Sequence, residues 1–498
     1  MILSPVVAPG LQVQDHDRRY ASMFVKRGQS GKAVHPKGRL GDHMTDYITA
    51  TLAKAEAGGA RPAELAALAR RLEQLAHPQA GRLPGDSLEP LDNLDSLDDL
   101  SEPTAGQARF VLDRLVVVKL NGGLGTSMGL SGPKSLLPVK DGRSFLDILA
   151  TQVLALREHH QARLPLLLMN SAITRSPTLE RLGRYPTLKD PALPLDFLQG
   201  REPKVRADDY QPVSWPADPS LEWCPAGHGD LYTALSASGM LQALLDAGLR
   251  WCFVSNVDNL GALVDPRIAA WIASEHVPFA MEAVLGTPAD RKGGHLARHD
   301  ARIVLRETAQ VPEGDSSFGD IERWRFYNTN NLWIDLQALS RLQESDPAAP
   351  TLPLIVNRKT VDPTDASSTP VIQLETAMGA AIGAIDGAQA ILVPRIRFAP
   401  VKTTDDLLVV RSDAYELRPD GAVTPTFDGE APIVTLDPEY FKLLPDFEPR
   451  FPAGAPSLRH CSKLDVDGDV TFGADVTIEG AVRIEGPWWV PNGEVLRG

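Results

Sequence analysis

The sequence has few cysteines, and their placement does not suit a metal site or a disulfide framework. Only Cys224, Cys252 and Cys461 occur in 498 residues, far apart and without a Cys-x-x-Cys pair. Zinc sites need clustered ligands, so this pattern argues against one. A small, odd number of cysteines is typical of a reducing compartment. We therefore predict a cytoplasmic protein.

Long apolar runs and a surplus of basic charge are also absent. The longest apolar runs reach about half the length of a membrane span, and the first residues, MILSPVVAPGLQ, lack the basic start of a signal peptide. The formal net charge of −14 argues against a general nucleic-acid binder. The expected partners are therefore small molecules, with neither nucleic acid nor a membrane involved. An anionic ligand is compatible with this charge because it needs only local cations.

The composition predicts a globular protein with more than one domain. Apolar residues make up 43% and charged residues 23%, and the length exceeds one ordinary core. Leucines at helical spacing in PAELAALARRLEQLAH (62–77) predict a mainly helical N-terminal region over residues 1–108. The acidic segment 88–103 is interpreted as a surface connector. We expect the central domain over residues 109–400 and a C-terminal domain over 401–498.

Short apolar runs alternate with helical patterns in the central region. Strands are predicted at residues 115–120, 164–169, 251–255 and 278–285, and helices at the apolar stripes 146–154 and 374–385. This alternation predicts an α/β fold with a mostly parallel sheet. Ligands of such sheets bind beyond the carboxyl ends of the strands. Asn121, Asn170 and the segment Ser255 to Asp258 are expected there.

The C-terminal sequence LDVDGDVTFGADVTIEGAVRIEG (464–486) repeats every six residues. Its apolar residues form two columns, Leu464, Val470, Val476 and Val482 in one and Val466, Phe472, Ile478 and Ile484 in the other. A period of six with two inward residues per unit favours a parallel β-helix over a plain β-meander.

A glycine-rich loop, LNGGLGTSMGLSGPKSLL, follows the first predicted strand of the central region. The dinucleotide motif G-x-G-x-x-G fails because Met128 takes the third glycine position. The P-loop motif fails because Pro133 separates Gly132 from Lys134. Exposed glycine amides and the Lys134 cation nevertheless suit a phosphate. A structural turn without a ligand is the alternative, and the loop by itself does not decide between them.

Further polar residues gather in short segments. His228 lies between two glycines and suits either a ligand contact or a structural role, and Asp258 suits Mg²⁺ or a helix N-cap. Three asparagines in FYNTNNLW suit sugar hydroxyls or an Asx-turn. The Gln199 amide suits a base edge, whereas Lys402 and Lys292 carry little weight alone. No general base stands out, which favours phosphoryl or nucleotidyl transfer, reactions that depend on positioning and charge neutralisation.

Six segments together resemble the eukaryotic-type UTP–glucose-1-phosphate uridylyltransferases, also called UDP-glucose pyrophosphorylases. They are KLNGGLGTSMGLSGPKSLLPV, PAGHGDLYTALSASGML, SNVDNLGA, FYNTNNLW, VIQLETAMGAAI and RFAPVKTTDDLLV, in family order between residues 110 and 410. The resemblance implies a Rossmann-like nucleotidyltransferase core with a mixed, mostly parallel sheet. It also implies a helical N-terminal region and a C-terminal left-handed β-helix.

The resemblance implies formation of UDP-glucose and pyrophosphate from UTP and glucose 1-phosphate, in a reversible reaction. A phosphate oxygen of the sugar phosphate would attack the α-phosphorus of UTP in line. Mg²⁺ as cofactor and lysines would offset the charge of the two polyanions.

The same resemblance assigns roles to individual residues. Lys402 matches the catalytic lysine, Lys134 a lysine near the phosphates and the metal, and Asp258 the Mg²⁺ ligand. The substrate-binding matches are Leu120, Asn121, Gly122 and Gly123 in the nucleotide turn, Gln199 and Gly227 for uridine, His228 for the sugar phosphate, Asn256, Val257 and Asp258 in the substrate and metal segment, and Asn330 for the sugar. Val257 departs from the small residue usual in the family and is expected to contribute only its backbone.

Three other functions are compatible with a nucleotide-binding α/β fold, and the sequence disfavours each of them. A broad-specificity UDP-sugar or UDP-N-acetylhexosamine pyrophosphorylase is disfavoured because the latter usually carry arginine where Ser127 lies. A non-catalytic nucleotide-sugar sensor would have lost Lys134, Asp258 or Lys402, and all are present. A dinucleotide-dependent dehydrogenase is disfavoured by Met128. The assembly stays open among a monomer, a dimer and a larger homo-oligomer.

Overall fold

The computed structural model describes residues 40–77 and 81–498. The chain divides into two units, Met1–Thr45 and Asp46–Gly498, and the fold described below is that of the second. The described helices are α1 Leu40–Ala57, α2 Pro62–Ala76, α3 Ala105–Leu112, α4 Phe145–His160, α5 Ala172–Leu182, α6 Leu231–Ala237, α7 Met240–Asp246, α8 Pro266–Glu275, α9 Leu336–Ser345, α10 Thr404–Arg411, α11 Pro438–Phe441 and α12 Leu444–Phe447.

The strands of the N-terminal and central regions alternate with these helices along the chain. They are β1 Asp95–Ser96, β2 Leu115–Asn121, β3 Pro138–Lys140, β4 Arg143–Ser144, β5 Leu166–Asn170, β6 Asp196–Leu198, β7 Arg201–Pro203, β8 Val205–Arg206, β9 Trp223–Pro225, β10 Trp251–Asn256, β11 Phe279–Leu285, β12 His295–His299, β13 Arg302–Arg306, β14 Phe326–Asp335, β15 Leu354–Thr360, β16 Pro370–Thr376 and β17 Gln389–Leu392.

The strands of the C-terminal region follow one another closely along the chain. They are β18 Tyr415–Leu417, β19 Val423–Pro425, β20 Ile433–Leu436, β21 Ser457–Asp467, β22 Val470–Phe472, β23 Thr477–Glu485, β24 Trp488–Val490 and β25 Val495–Arg497. None of the helices within residues 40–77 and 81–498 combines the length and apolar character needed to cross a bilayer.

The central sheet has the strand order β1-β17-β11-β14-β10-β2-β5-β6. Its pairs are parallel except where β14 runs antiparallel to both β10 and β11. The β12–β13 hairpin attaches to β14. The predicted α/β fold with a mostly parallel sheet is therefore confirmed.

Strand β2 is buried along its whole length because both faces of the sheet are covered. Its side chains alternate between two apolar layers: Val116 and Val118 join the layer of α6 and α7, whereas Leu115 and Val117 join the layer of α4 and α8. Helix α4 begins at a capping box, in which Ser144 and Asp147 each accept a backbone N–H from the other. This packing holds the carboxyl end of β2 rigidly beneath the glycine loop.

Two predictions of local structure are wrong. The stripe 374–385 is not a helix: it is the end of β16, paired antiparallel with β15, followed by a 3-10 turn over Met378–Gly383. The connector 88–103 is not simply on the surface, because Leu91 and Leu97 are buried and Asp95–Ser96 pairs with β17. Its leucines recur at every third residue and point into the protein interior, whereas the acidic residues between them are exposed to solvent.

Four C-terminal strands, in the order β20-β21-β23-β25, form one parallel sheet, and β22 pairs with β24 in a second. Leu464 lies opposite Val482 and Val466 opposite Ile484. Each partner is therefore 18 residues further along the chain. Both predicted columns lie in one apolar core.

Candidate active site

Asparagines end two neighbouring strands of the central sheet. Asn121 closes β2 and Asn170 closes β5, opposite each other in register. The Asn121 Nδ2 donates to Asn170 Oδ1 at 2.7 Å, and both residues are buried. The Asn121 Oδ1 has no hydrogen-bond partner among the described residues, although it is buried. Polar side chains thus gather at the carboxyl edge of the sheet, as the sequence predicted.

The glycine loop closes on itself directly beyond β2. The Lys134 N–H donates to the Gly123 carbonyl at 3.3 Å, and Gly125 has a φ of 63°, which favours glycine. At Gly122 an added Cβ would come within 2.5 Å of Gln199 Oε1. The predicted uridine-contacting amide of Gln199 therefore lies against the predicted nucleotide turn, and a larger residue at position 122 would have to displace it.

Lys134 and Asp258 form an ion pair between the end of the loop and the end of β10. Lys134 Nζ donates to Asp258 Oδ2 at 2.7 Å, and the two side chains are 13% and 16% exposed. An ammonium has three donors, so this contact leaves two for phosphate oxygens. The two residues assigned to the metal and the phosphates from the resemblance are in direct contact.

His228 is held neutral and in one tautomer. Its Nδ1 accepts the backbone N–H of Met378 at 3.1 Å, which leaves the ring proton on Nε2. Burial, with the nearby Lys402 cation, lowers the pKa of His228 to about 4. Gly227 precedes it with a φ of 82°, and an added Cβ there would lie 3.2 Å from the Thr376 backbone nitrogen. His228 can therefore donate one hydrogen bond from a rigid turn.

Lys402 is exposed and lies just before α10. Its backbone N–H donates to Asp406 Oδ2 at 2.7 Å, and Thr403 caps the helix, which orients the turn. The Lys402 cation influences both His228 and Glu307. Burial raises the pKa of Glu307 to about 7, against the opposing effect of Lys402. The Lys402 cation is therefore close enough to His228 and Glu307 to affect the pKa of both.

The three asparagines of FYNTNNLW lie inside strand β14. Asn330 has a φ of 58°, where the pairing with β11 is irregular. Asn328 Nδ2 donates to Asn330 Oδ1 at 2.9 Å, and the Asn330 N–H donates back to Asn328 Oδ1 at 2.8 Å. Asn331 is buried and donates to Glu282 Oε2 at 3.0 Å. Its role is therefore structural, and Asn328 and Asn330 are the two partly exposed amides.

Asn256 ends β10 and Val257 follows it, next to the nucleotide turn. Asn256 is opposite Leu120 in register. The Val257 N–H donates to the Leu120 carbonyl at 3.3 Å, and the Val257 side chain is buried in an apolar cluster with Met128 and Leu260. The side chain of Val257 is therefore unavailable to a ligand, in keeping with a backbone contribution only.

Sequence reasoning did not single out three residues that line this region. Glu307 sits in an ordinary segment with no motif, so no signal marked it. Thr376 and Met378 lie in VIQLETAMGAAI, one of the six segments that carry the family resemblance, but the resemblance assigns no role to either residue. Met378 orients His228, and Thr376 packs against Gly227 and Gly229. Both contacts join residues about 150 positions apart, so spacing could not reveal them.

Asp258 supplies a carboxylate beside Lys134, and no group of three or more His, Cys, Asp or Glu side chains is placed to hold a metal in the described part of the chain. Magnesium usually keeps several waters and binds through one or two carboxylates together with substrate phosphates. The residues present therefore fit a Mg²⁺ ion that arrives with the phosphates of a substrate.

A glycine turn at a strand end, closed by a lysine that pairs with an aspartate just beyond the neighbouring strand, defines an α/β protein that binds phosphorylated ligands. A family model described as UTP–glucose-1-phosphate uridylyltransferase matches residues 70–479. Because this match covers more than half of the sequence, the chain belongs to the UTP–glucose-1-phosphate uridylyltransferase family.

Two relatives with this name illustrate the similarity. The enzyme of Solanum tuberosum is 41% identical over 414 residues, which cover 81% of this chain and 84% of the relative. The enzyme of Saccharomyces cerevisiae is 41% identical over 396 residues, covering 77% of each chain.

Solved structures agree with the sequence relatives. The UDP-glucose pyrophosphorylase of Leishmania major has a TM-score of 0.86 and 41% identity, covering 91% of this chain and 98% of that one. A variant of that enzyme, in complex with UDP-glucose, has a TM-score of 0.85. A UDP-glucose phosphorylase of Trypanosoma brucei has a TM-score of 0.84 and 42% identity, covering 91% and 98%.

Proposed function

We propose that the protein transfers the uridylyl group of UTP to glucose 1-phosphate, forming UDP-glucose and pyrophosphate reversibly. One observation carries this proposal: the family match over residues 70–479 includes the glycine turn, Lys134, Asp258 and Lys402. The contact between Lys134 and Asp258 supports it, because both residues then face the same phosphates.

Uridine is proposed to bind between the turn Leu120 to Gly123 and the pair formed by Gln199 and Gly227. The support is a close contact: the Gln199 amide lies against Gly122, in the space that a side chain at position 122 would take. A carboxamide both donates and accepts, which suits the complementary edge of a uracil ring. Asn121 is buried at the end of β2, and its Oδ1, which has no hydrogen-bond partner among the described residues, gives this end of the site a further fixed acceptor.

The sugar phosphate is proposed to bind on the opposite side, near Lys402. Neutral His228 donates its Nε2–H to the sugar phosphate, since its pKa of about 4 keeps it uncharged. Asn330 and Asn256 are proposed to contact the sugar, and the Glu307 carboxyl, which is near enough for the Lys402 cation to lower its pKa, is proposed to add a further polar group. Amide and carboxyl groups suit the hydroxyls of a hexose.

Catalysis is proposed to depend on charge rather than on proton transfer. The nucleophile is a phosphate oxygen that is already ionised, so no general base is required. Lys402 and Lys134 offset negative charge as the two phosphates approach and as pyrophosphate leaves. Mg²⁺, held through Asp258 and the phosphates, supplies further neutralisation when bound.

The test is a pyrophosphate-release assay with UTP and a panel of sugar 1-phosphates. We expect glucose 1-phosphate to be used fastest, with no release when the sugar phosphate is omitted. Faster use of N-acetylglucosamine 1-phosphate would favour the UDP-N-acetylhexosamine activity, and comparable use of several sugars would favour a broad UDP-sugar pyrophosphorylase. Binding of UTP without release of its pyrophosphate in the presence of any of the sugar phosphates would instead identify a nucleotide-sugar binding protein.

We further propose a domain division into residues 1–108, 109–400 and 401–498, with a Rossmann-like central domain and a left-handed β-helix at the C-terminus. The 18-residue offset between paired strands supports the β-helix, because it equals three units of six residues in each coil. The handedness rests on the family resemblance.

A cytoplasmic location is also part of the proposal. The three cysteines carry free thiols and are buried, and burial raises the pKa of the Cys224 and Cys252 thiols. Buried, protonated thiols suit a reducing compartment without requiring one. The assembly stays a prediction between a monomer and a homo-oligomer.

A further inference from the structure

A buried arginine from the N-terminal region reaches the edge of the candidate site. Arg71 lies on α2, and its Nε and Nη2 donate to Glu202 Oε2 at 3.1 and 2.7 Å. The two side chains are only 8% and 3% exposed. The other Glu202 oxygen is buried and has no hydrogen-bond partner among the described residues. A buried charge pair of this kind is costly to desolvate, so its presence needs a reason.

Glu202 lies on a small hairpin whose two ends carry the proposed uridine contacts. Strands β7 and β9 pair antiparallel, with Glu202 opposite Cys224. Gln199 comes just before β7, and Gly227 comes just after β9. The Ala226 N–H donates to the Gly200 carbonyl at 3.3 Å, which links the two ends. Any shift of the hairpin therefore moves both sides of the proposed uridine site together.

A second buried carboxylate ties the hairpin to the sugar-phosphate turn. Asp230, two residues after His228, accepts the Gly200 N–H at 2.5 Å. Burial raises the pKa of Asp230 to about 7, while the Arg71 cation opposes this shift. Burial likewise raises the pKa of Glu202, and Arg71 opposes it. The Arg71 guanidinium thus favours the ionised form of two buried carboxyl groups, Glu202 on the hairpin and Asp230 two residues after His228.

The neighbouring helix α1 covers the same hairpin from its other strand. The Arg201 guanidinium lies 4.5 Å from the centre of the Trp223 ring. At Gly58, just after α1, an added Cβ would clash with that ring at 2.2 Å. Lys54 on α1 forms an ion pair with Glu222, next to Trp223. Both N-terminal helices therefore hold the hairpin, and the Arg71–Glu202 pair is more deeply buried than the Lys54–Glu222 pair.

We propose that Arg71 is a positioning residue for nucleotide binding, which fixes the hairpin β7–β9 and, through Glu202 and Asp230, the turns at Gln199 and His228. The proposal rests on the proposed function in taking UTP as the nucleotide. It assigns α2 a task in the active site, although no atom of that helix lies in the nucleotide turn. Lys134, Asp258 and Lys402 are carried by other elements, so the charge-neutralising groups stay in place when Arg71 is lost.

The test is Arg71→Met, assayed for initial rates over a range of UTP concentrations. We expect the KM for UTP to rise about tenfold, because displaced contacts weaken binding, and kcat to change by less than about threefold. Arg70→Met is the matched control: Arg70 is on the same helix but is bound to Asp346 and Thr351 at the surface. Its KM for UTP should equal that of the wild type.

A second variant separates positioning from stability. In Arg71→Met/Glu202→Leu both members of the buried pair are replaced by apolar groups, which often restores stability. We expect its Tm to lie closer to that of the wild type than the Tm of Arg71→Met, while the KM for UTP stays raised. Recovery of the KM together with the Tm would reduce Arg71 to a structural role, as would an unchanged KM in Arg71→Met.

Calorimetric binding of UTP keeps this result independent of catalysis. If the wild type releases no pyrophosphate, the proposed function fails, and the Kd for UTP of wild type and Arg71→Met still tests the positioning role. Arg71→Lys keeps the charge but loses the two-pronged contact, so a smaller rise of the Kd is expected. Equal Kd values in wild type, Arg71→Lys and the double variant would overturn the inference.

Discussion

Lys134 and Asp258 meet across 124 residues of sequence, and their contact organises the phosphate end of the candidate site. A mostly buried ion pair is stable only when each charge has further partners. Phosphate oxygens for Lys134 and a metal ion for Asp258 would be such partners. The proposed roles of these two residues are therefore linked, and changes at either one should affect the use of Mg²⁺.

Replacing Asp258 with alanine tests the proposed metal ligand. We expect the Mg²⁺ concentration for half-maximal rate to rise about tenfold, because one of few protein oxygens for the ion is lost. Titration of the initial rate with Mg²⁺ measures this. Asp246→Ala, at an exposed helix end, is the control and should keep the wild-type value. An unchanged Mg²⁺ requirement in Asp258→Ala would show that the ligand assignment is wrong.

Replacing Lys402 with alanine tests the proposed catalytic cation. Loss of a group that neutralises charge in the transition state should lower kcat on the order of 10²–10³-fold. The KM for glucose 1-phosphate should change far less. Steady-state kinetics with Lys442→Ala, another exposed lysine, as the control distinguish this from a general charge effect. A kcat within a factor of two of the wild type would refute the role.

The buried His228 predicts a dependence of stability on pH. Its pKa is about 4 in the folded protein against a usual value of 6.5. Between these values the unfolded chain binds more protons, so the free energy of unfolding should fall as the pH drops from 6.5 to 4. Urea unfolding should show a shallower fall for His228→Gln. His276→Asn, at an exposed position, is expected to retain the wild-type slope, and equal slopes in all three would contradict the prediction.

At the scale of elements, β11 and β14 meet the segment before Lys402 through a buried polar cluster. Glu282 on β11 accepts from Arg397, Asn331 and Trp333. Asn259, next to Asp258, donates to the Arg397 carbonyl at 3.0 Å. This cluster fixes the turn that presents Lys402 relative to the strands that present Asp258 and Asn330. Such satisfied buried networks rigidify a site.

Breaking this cluster should destabilise the protein strongly. Glu282→Leu leaves the Arg397 charge buried and unpaired, so the free energy of unfolding should fall by about 3–5 kcal/mol. Urea denaturation measures this. Arg483→Ala, which removes an exposed pair with Asp467, should cost less than about 1 kcal/mol. Similar losses for the two variants would mean that the cluster contributes no more than a surface pair does.

At the scale of the whole molecule, one apolar core joins the central and C-terminal regions. Phe145, Ile148 and Met128 belong to the same cluster as Phe472 and Ile478. The C-terminal sheets therefore pack in one cluster with hydrophobic side chains of α4 and of the glycine loop itself. The boundary predicted at residue 400 separates the alternating strands and helices of the central region from the six-residue repeat of the C-terminal region. The apolar cluster nevertheless contains residues from both sides of that boundary.

Truncation after residue 400 tests this shared core. The truncated chain would expose the apolar side chains of α4 and the glycine loop, and it should aggregate or lose its cooperative unfolding transition. Size-exclusion chromatography and thermal denaturation, run beside the full chain, measure both properties. A monomeric truncated protein with a sharp transition would show instead that residues 401–498 fold apart from the rest.

The sequence by itself determined what depends on local pattern. Buried strands such as β2, the hexapeptide columns and the residues at the strand ends all follow from periodicity and from glycine and asparagine chemistry. The resemblance added the assigned roles. The stripe at 374–385 shows where pattern misleads, because pairing with β15 outweighed a helical spacing.

Only the tertiary structure decided which distant residues act on one another. The Arg71–Glu202 pair, the Met378 contact to His228 and the approach of Lys402 to Glu307 each join segments separated by more than 90 residues. Such contacts leave no periodic trace, because each depends on how helices and strands pack rather than on their own sequences. The physical reason is burial. Folding brings charged side chains that are distant in sequence into the same buried region, and their interactions there determine their hydrogen bonds and their pKa values.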